Sequence, residues 1–185
     1  MAVIAVAAAG PAEEEAIAYA EVCLSTTFGM ETRRLGPFPD PEYAYDAARN
    51  QYSSTLVLRE ALDRRPADAL KLMVITDHDI FIPMLSFVYG QAQLNGPAAV
   101  LSLSRLRQEF YGLPPNHALF LLRVRKEALH EIGHCFGLTH CSDPLCTMRL
   151  STNLQLLDEK QAEFCGDCAT LLRDAINTST TGAIK

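Results

Sequence analysis

Three histidines and one glutamate fall within the eleven residues from 130 to 140, and their spacing limits the chemistry that they can share. On a helix, residues four apart point in the same direction, so His130 and His134 can bind one metal ion. Glu131 is rotated by about 100° from His130, which places its carboxylate beside the metal and not on it. A carboxylate there can accept a proton from water. This pattern is typical of a catalytic zinc site.

Gly137 and His140 continue the motif beyond the predicted helix. Glycine readily adopts the left-handed conformation that ends a helix, so Gly137 can turn the chain and return His140 to the metal. Three imidazoles leave one zinc position for water, as a catalytic site requires. The sequence therefore predicts His130, His134 and His140 as zinc ligands and Glu131 as the general base.

Four cysteines follow in two closely spaced pairs, Cys141 with Cys146 and Cys165 with Cys168. Two pairs of thiolates are typical ligands of a closed zinc site, which stabilises a fold and performs no chemistry. The alternative is that all four are ordinary buried thiols. We expect a second, structural zinc ion that clips the final helix to the segment leaving the catalytic site.

Other histidines and cysteines stand apart from both groups. Cys135 lies about 100° around the predicted helix from His134, so we expect a small core residue there. For His78 and His117 we expect ordinary positions at a strand end and a helix start. The sequence suggests no role for Cys23.

Length and composition favour one globular domain, since the 185 residues are 49% hydrophobic and 21% charged. The formal net charge of −6 opposes binding to nucleic acid or to an anionic membrane. No apolar segment approaches the ~18 residues of a membrane span. The apolar start of the chain fits a buried strand better than a cleaved signal peptide, because it lacks a basic region. Unpaired thiols indicate the cytoplasm, and a monomer is expected.

Strand and helix patterns predict an α/β fold with a mixed sheet, in which one strand of a hairpin runs antiparallel to the other strands. The predicted strands are residues 2–9, 28–35, 71–76 and the hairpin 87–92 with 98–103. The predicted helices are residues 13–24, 53–64, 117–136 and 158–176, with the apolar run 118–122 buried and a disordered tail from 178. Asn116 is the predicted N-cap of the long helix that carries the motif.

The string H-E-x-x-H-x-x-G-x-x-H-C-x4-C-x-M, followed by C-x-x-C, resembles the archaemetzincin family of the metzincin clan of zinc metallopeptidases. The resemblance covers residues 126–168. It implies two lobes within one compact catalytic domain: residues 1–137 with the mixed sheet and active-site helix, and residues 138–185 with the third zinc ligand and the four-cysteine site. Met148 would belong to the Met-turn, an apolar floor beneath the catalytic zinc.

The resemblance also implies a twisted sheet with the antiparallel strand at its edge. This antiparallel edge strand would bind an extended peptide, because an unpaired edge can accept one more strand. The segment 150–156 would form a wall of the pocket for the residue beyond the cleaved bond. The residues that we predict for the edge strand are Phe87, Val88, Tyr89, Gly90, Gln91 and Ala92.

These patterns predict a zinc-dependent peptidase. Metal ligands alone do not establish turnover, so a zinc-stabilised module that binds peptides or proteins is the alternative. Glu131 favours the enzyme, because a pure binding module needs only the ligands. The sequence leaves the physiological substrate open, as well as the choice between endopeptidase and aminopeptidase action.

Overall fold

The computed structural model describes residues 2–182 of the chain. Within them the strands are β1 (Val3–Ala8), β2 (Glu31–Arg34), β3 (Tyr45–Asp46), β4 (Gln51–Ser53), β5 (Ala69–Thr76), β6 (Ile80–Phe81), β7 (Gly90–Ala92) and β8 (Ala98–Ser102). The α-helices are α1 (Glu14–Phe28), α2 (Ser54–Arg64), α3 (His117–Cys135), α4 (Leu154–Glu159) and α5 (Gly166–Gly182). Short 3-10 helices lie at Pro41–Ala44, Ser104–Leu106 and Gln108–Tyr111.

The main sheet has five strands in the order β2-β1-β5-β8-β7. Strands β1, β2, β5 and β8 are parallel, and β7 is antiparallel to β8 at the edge of the sheet. The apolar run at the start of the chain is buried as β1, since a strand covered on both faces needs apolar side chains on both. The prediction of a mixed α/β fold with one antiparallel edge strand is confirmed.

A second, smaller sheet with the order β3-β4-β6 was not predicted, because its strands are only two or three residues long. It positions the loop that leads into β7. The guanidinium of Arg49 donates to the carbonyl of Leu85 at 2.9 Å, and the amide of Gln51 donates to the carbonyl of Ser86 at 2.9 Å. The loop before the edge strand is therefore fixed to the body of the protein.

Helix α1 is longer than predicted and the strand after it is correspondingly shorter. No residue between Leu24 and Gly29 breaks a helix, so α1 continues to Phe28, which is buried and stacks on Phe136 with 5.5 Å between ring centroids. Gly29 then ends the helix in the left-handed conformation, with φ 63°. Strand β2 begins at Glu31, after this turn.

Helix α3 begins as predicted, because the side chain of Asn116 accepts a hydrogen bond from the Leu119 amide at 3.1 Å. The prediction that residues 118–122 are buried is wrong, since only Phe120 in that run is buried. The buried residues just beyond it include the charged Arg123 and Lys126. Their polar atoms are paired with the short helix α4 and its neighbours, which offsets part of the cost of desolvation.

These contacts fix α4 on the active-site helix. The Arg123 guanidinium makes two hydrogen bonds to the Asp158 carboxylate, at 2.7 and 2.6 Å, and donates a third to the Leu106 carbonyl at 2.9 Å. The Lys126 ammonium donates to the carbonyls of Leu157 and Asp158, each at 3.0 Å.

The single final helix predicted for residues 158–176 is also wrong, because two helices stand there. Helix α4 ends at Glu159, and α5 starts at Gly166 so that the last two cysteines lie at its N-terminal end. The tail predicted to be disordered from Thr178 is helical through Gly182, and the hydroxyls of residues 178–180 bond to carbonyls one turn earlier. Residues 183–185 lie outside the described part. Among the helices of residues 2–182, none is long and apolar enough to cross a membrane.

Candidate metal centres and active-site cleft

Helix α3 brings His130 and His134 together through its four-residue spacing. Their rings are 4.5 Å apart between centroids, and their Nε2 atoms are 3.0 Å apart. The Nδ1 atom of His130 lies 2.9 Å from the Thr147 carbonyl, and Nδ1 of His134 lies 2.7 Å from the Leu138 carbonyl. No sequence pattern could identify these two carbonyls, because both are main-chain atoms whose positions depend on the turns after the helix.

The two carbonyls determine which ring nitrogen carries the proton. A carbonyl only accepts hydrogen bonds, so each Nδ1 must donate and each Nε2 of a neutral ring presents a lone pair. Burial lowers the pKa of both His130 and His134, which favours the neutral rings. Two lone pairs 3.0 Å apart repel each other unless a cation lies between them. The donors of this site therefore fit a metal ion such as zinc.

His140 completes the group from outside the helix. Gly137 has φ 89°, in the left-handed region that favours glycine, and the chain turns there. The Leu138 amide closes the turn by donating to the Gly133 carbonyl at 3.1 Å. The ring of His140 comes to rest 5.4 Å from His130 and 5.0 Å from His134 between centroids. One nitrogen of each of the three rings lies within 4.8 Å of the other two.

Glu131 is buried beside this group, against the edge strand. A Cβ added to Gly90 would meet the Oε1 atom of Glu131 at 2.6 Å, so only glycine allows the strand to pass this close. Burial, and then the nearby Glu127, raises the pKa of Glu131 well above its usual range, while Lys160 opposes that shift. Burial therefore favours the protonated, uncharged form of this carboxyl.

Met148 lies fully buried beneath the active-site helix. A Cβ added to Gly133 would meet its sulfur at 2.7 Å, so the glycine makes room for the methionine. The Met148 carbonyl accepts a hydrogen bond from the Cys141 amide at 3.0 Å, and its own amide lies 3.4 Å from the Cys146 sulfur. One turn therefore contacts both groups of ligand-type residues.

The four cysteines predicted as a set converge, with their sulfurs within 4.8 Å of one another. All four are free thiols, and Cys141 and Cys165 are 3.8 Å apart between sulfurs. The backbone amide of Cys168 lowers the pKa of the Cys165 thiol, which lies at the N-terminal end of α5, where a thiolate is favoured. The Cys165 amide also lies 3.4 Å from the Cys146 sulfur. These donors fit a closed zinc site.

A cleft of about 400 Å³ opens above the histidines. The free edge of β7 forms one side, and the segment containing Thr139, His140 and Leu150 forms the other. Strand β7 is shorter than the predicted edge strand. Of the predicted edge-strand residues, Val88, Tyr89, Gly90, Gln91 and Ala92 line the cleft, whereas Phe87 lies under the guanidinium of Arg105.

Two charged residues near the cleft were not singled out from the sequence. Glu127 lines the cleft, and the fully buried Lys160 donates a hydrogen bond to its Oε1 atom at 2.8 Å. Helical spacing could have identified Glu127, since it lies three residues before His130 on the same helix. No local pattern could have identified Lys160, which follows a different helix.

The isolated histidines and cysteines lie outside both groups. His78 follows β5 and His117 begins α3, the positions expected for them. Cys23 and Cys135 are buried. His117 stands near Glu13 and Glu15, but this third cluster is largely exposed.

Comparison with known proteins agrees with this geometry. The family model of Peptidase family M54 matches residues 44–174. The archaemetzincin of Methanocaldococcus jannaschii is 38% identical over 165 residues, covering 89% of each chain. The crystal structure of the Methanopyrus kandleri archaemetzincin superposes with a TM-score of 0.81 at 32% identity, covering 95% of this chain and 96% of that one. A zinc-dependent peptidase from Methanocorpusculum labreanum superposes with a TM-score of 0.78 at 32% identity, covering 91% and 99%.

The fold and these likenesses define a zinc metallopeptidase, which acts on peptide substrates. Within that class, the chain belongs to peptidase family M54, the archaemetzincins. The resemblance inferred from the histidine and cysteine motifs is therefore confirmed.

Proposed function

We propose that this chain hydrolyses peptide bonds with His130, His134 and His140 holding a catalytic zinc ion and Glu131 acting as the general base. The observation that carries the proposal is the pair of Nε2 atoms 3.0 Å apart, on two rings whose Nδ1 atoms face carbonyls, beside a buried carboxylate. When bound, zinc would lower the pKa of a water molecule and polarise the substrate carbonyl.

The residues of the chain then have distinct tasks. The free edge of β7 holds the substrate as an added strand, which aligns its backbone above the histidines. Glu131 accepts a proton from the attacking water and passes it to the nitrogen of the departing amine.

We further propose that Cys141, Cys146, Cys165 and Cys168 hold a second zinc ion with a structural role. Residues 1–137 and 138–185 would then be two lobes of one catalytic domain of metzincin type, with Met148 in a Met-turn. The convergence of the four sulfurs and the packing of Met148 under Gly133 support this arrangement.

A peptide library tests the catalytic proposal. The zinc-loaded protein is incubated with peptides of diverse sequence, and new termini are read by mass spectrometry. We expect cleavage by the native chain and cleavage about 10²–10⁴-fold slower by the zinc-loaded Glu131→Gln variant. Peptide binding without cleavage by the native chain would instead support the alternative of a zinc-stabilised binding module.

A further inference from the structure

The cleft contains one carboxylate that the proposed mechanism does not use. Most other residues of its rim are apolar, among them Ile82, Leu85, Leu94 and Leu150. Glu127 stands among them, one helical turn before Glu131 and 4% exposed. A buried charge has a large desolvation cost unless it is paired, so its environment requires an explanation.

Lys160 pairs with Glu127 from the side of the carboxylate that faces away from the cleft. The Lys160 ammonium donates to Oε1 of Glu127 at 2.8 Å and to the Arg149 carbonyl at 3.3 Å. Lys160 is fully buried and does not line the cleft. The Oε2 atom of Glu127 accepts no hydrogen bond from any residue between 2 and 182. The negative end of the ion pair therefore faces the cleft and retains a free acceptor.

Tyr89 adds a second polar group to the same end of the cleft. Its hydroxyl is buried and interacts with the Tyr111 side chain and, more weakly, with the Glu127 carboxylate, although no residue from 2 to 182 makes a hydrogen bond of normal geometry with it. Burial raises the pKa of Tyr89, so the hydroxyl is neutral and can donate or accept.

The path of β7 indicates which part of a substrate meets these groups. The chain from Tyr89 to Asn95 runs in the same direction as helix α3. Tyr89 lines the cleft together with Glu127, and Gly90 packs on Glu131. Further along, the Asn95 amide donates to the His134 carbonyl at 2.9 Å. Antiparallel pairing is the more stable arrangement for an added strand. A substrate would then run from Ala92 toward Tyr89, so the residue after the cleaved bond lies over Glu127.

We propose that Glu127 makes the enzyme prefer substrates with lysine or arginine immediately after the cleaved bond. The free Oε2 atom accepts a charge-assisted hydrogen bond from the basic side chain, whose aliphatic part packs on the apolar rim. Lys160 fixes the glutamate from behind and orients it. This inference rests on the proposed peptidase function and adds its substrate class.

The same peptide library tests this preference. We expect lysine and arginine to be enriched at least about tenfold over glutamate and norleucine after the cleaved bond, as suits a hydrogen bond between charged groups. Glu127→Gln should remove most of the enrichment. The double variant Glu127→Met with Lys160→Met should shift the preference to apolar residues. The double variant also serves as a control for folding, because replacing both members of a buried ion pair by apolar residues is often tolerated, whereas removing one member leaves an unpaired buried charge. Melting temperature and zinc content are measured for each.

A binding measurement separates this inference from turnover. The zinc-loaded Glu131→Gln variant is titrated with two peptides that differ only by arginine or norleucine at the tested position. We expect about tenfold tighter binding of the arginine peptide. Cleavage without a basic preference, or a preference unchanged in Glu127→Gln, would overturn the inference and leave the peptidase proposal intact. If no peptide is cleaved, the peptidase proposal fails, and equal binding of the two peptides would overturn the inference as well.

Discussion

The three-histidine group and the four-cysteine group meet at the adjacent residues His140 and Cys141, yet they are built for different tasks. The histidine nitrogens face a cleft of about 400 Å³ and have a buried carboxylate beside them. The cysteine sulfurs face one another, and backbone amides such as that of Cys165 point at them. The histidine group, with nitrogen donors open to the cleft, therefore suits a catalytic metal ion. The cysteine group, with sulfur donors that face one another, suits a structural metal ion.

One turn couples the two groups. Its residue Met148 packs against the active-site helix at Gly133, while its backbone bonds the Cys141 amide and approaches the Cys146 sulfur. A change confined to either group should affect one property, stability or turnover, and a change at the turn should affect both.

Cys168→Ser should have the largest effect, and it should be on stability. A structural zinc contributes on the order of 10 kcal/mol in small zinc-binding domains, and loss of one of its four ligands removes a large part of that. We expect the melting temperature to fall by ~10 °C or more, and the bound zinc to fall by one ion per chain. Calorimetry and elemental analysis measure both.

Cys23→Ser is the matched control, since Cys23 is buried but lies outside the cysteine cluster. Its zinc content should be unchanged and its loss of stability should be smaller. A Cys168→Ser protein that melts at the native temperature would contradict a structural metal site.

Glu131→Gln should produce the converse result. Loss of a general base lowers turnover by about 10²–10⁴-fold, whereas zinc content and melting temperature should stay at native values because the ligands are intact. The measurement is the rate of cleavage of a peptide found in the library, together with zinc content. Glu109→Gln, at an exposed position, is the control and should keep full activity. Native-like turnover in Glu131→Gln would disprove the assigned role.

Graded chelation should separate the two sites within one sample. The histidine group faces the cleft and offers three donors, whereas the four cysteine sulfurs face one another, so a metal ion would be more accessible at the histidines. Activity should therefore disappear at a lower chelator concentration than the one that lowers the melting temperature. Simultaneous loss of both would mean that the sites are not energetically distinct.

Gly133→Ala should have the smallest effect and should affect both properties. The new methyl group would lie 2.7 Å from the Met148 sulfur, and such overpacking costs about 1–3 kcal/mol. We expect a lower melting temperature and a partial loss of activity. Gly36→Ala is the control, because a Cβ there would meet no atom within 4 Å. An unaffected Gly133→Ala protein would show that the turn does not couple the sites.

Local patterns predicted the parts of the fold that depend on short-range physics. The apolar run of β1, the Asn116 cap and the helical spacing of the histidines are local features, and each is present in the structure. The prediction of a single helix over residues 158–176 was wrong because the break in that helix depends on long-range contacts. Residues 160–165 have no strong helix breaker, and the chain is interrupted there by distant partners, including the bond from Lys160 to Glu127.

The sequence by itself determined the two groups of donors, because ligand chemistry depends on residue types and on short spacings of three to six residues. It also determined the mixed sheet, through strand patterns and a hairpin turn. Only the tertiary structure determined which carbonyls orient the histidines, how closely β7 passes Glu131, and that Glu127 faces the cleft with Lys160 behind it. Those contacts join residues far apart in the chain, and their energies depend on burial, which no local pattern contains.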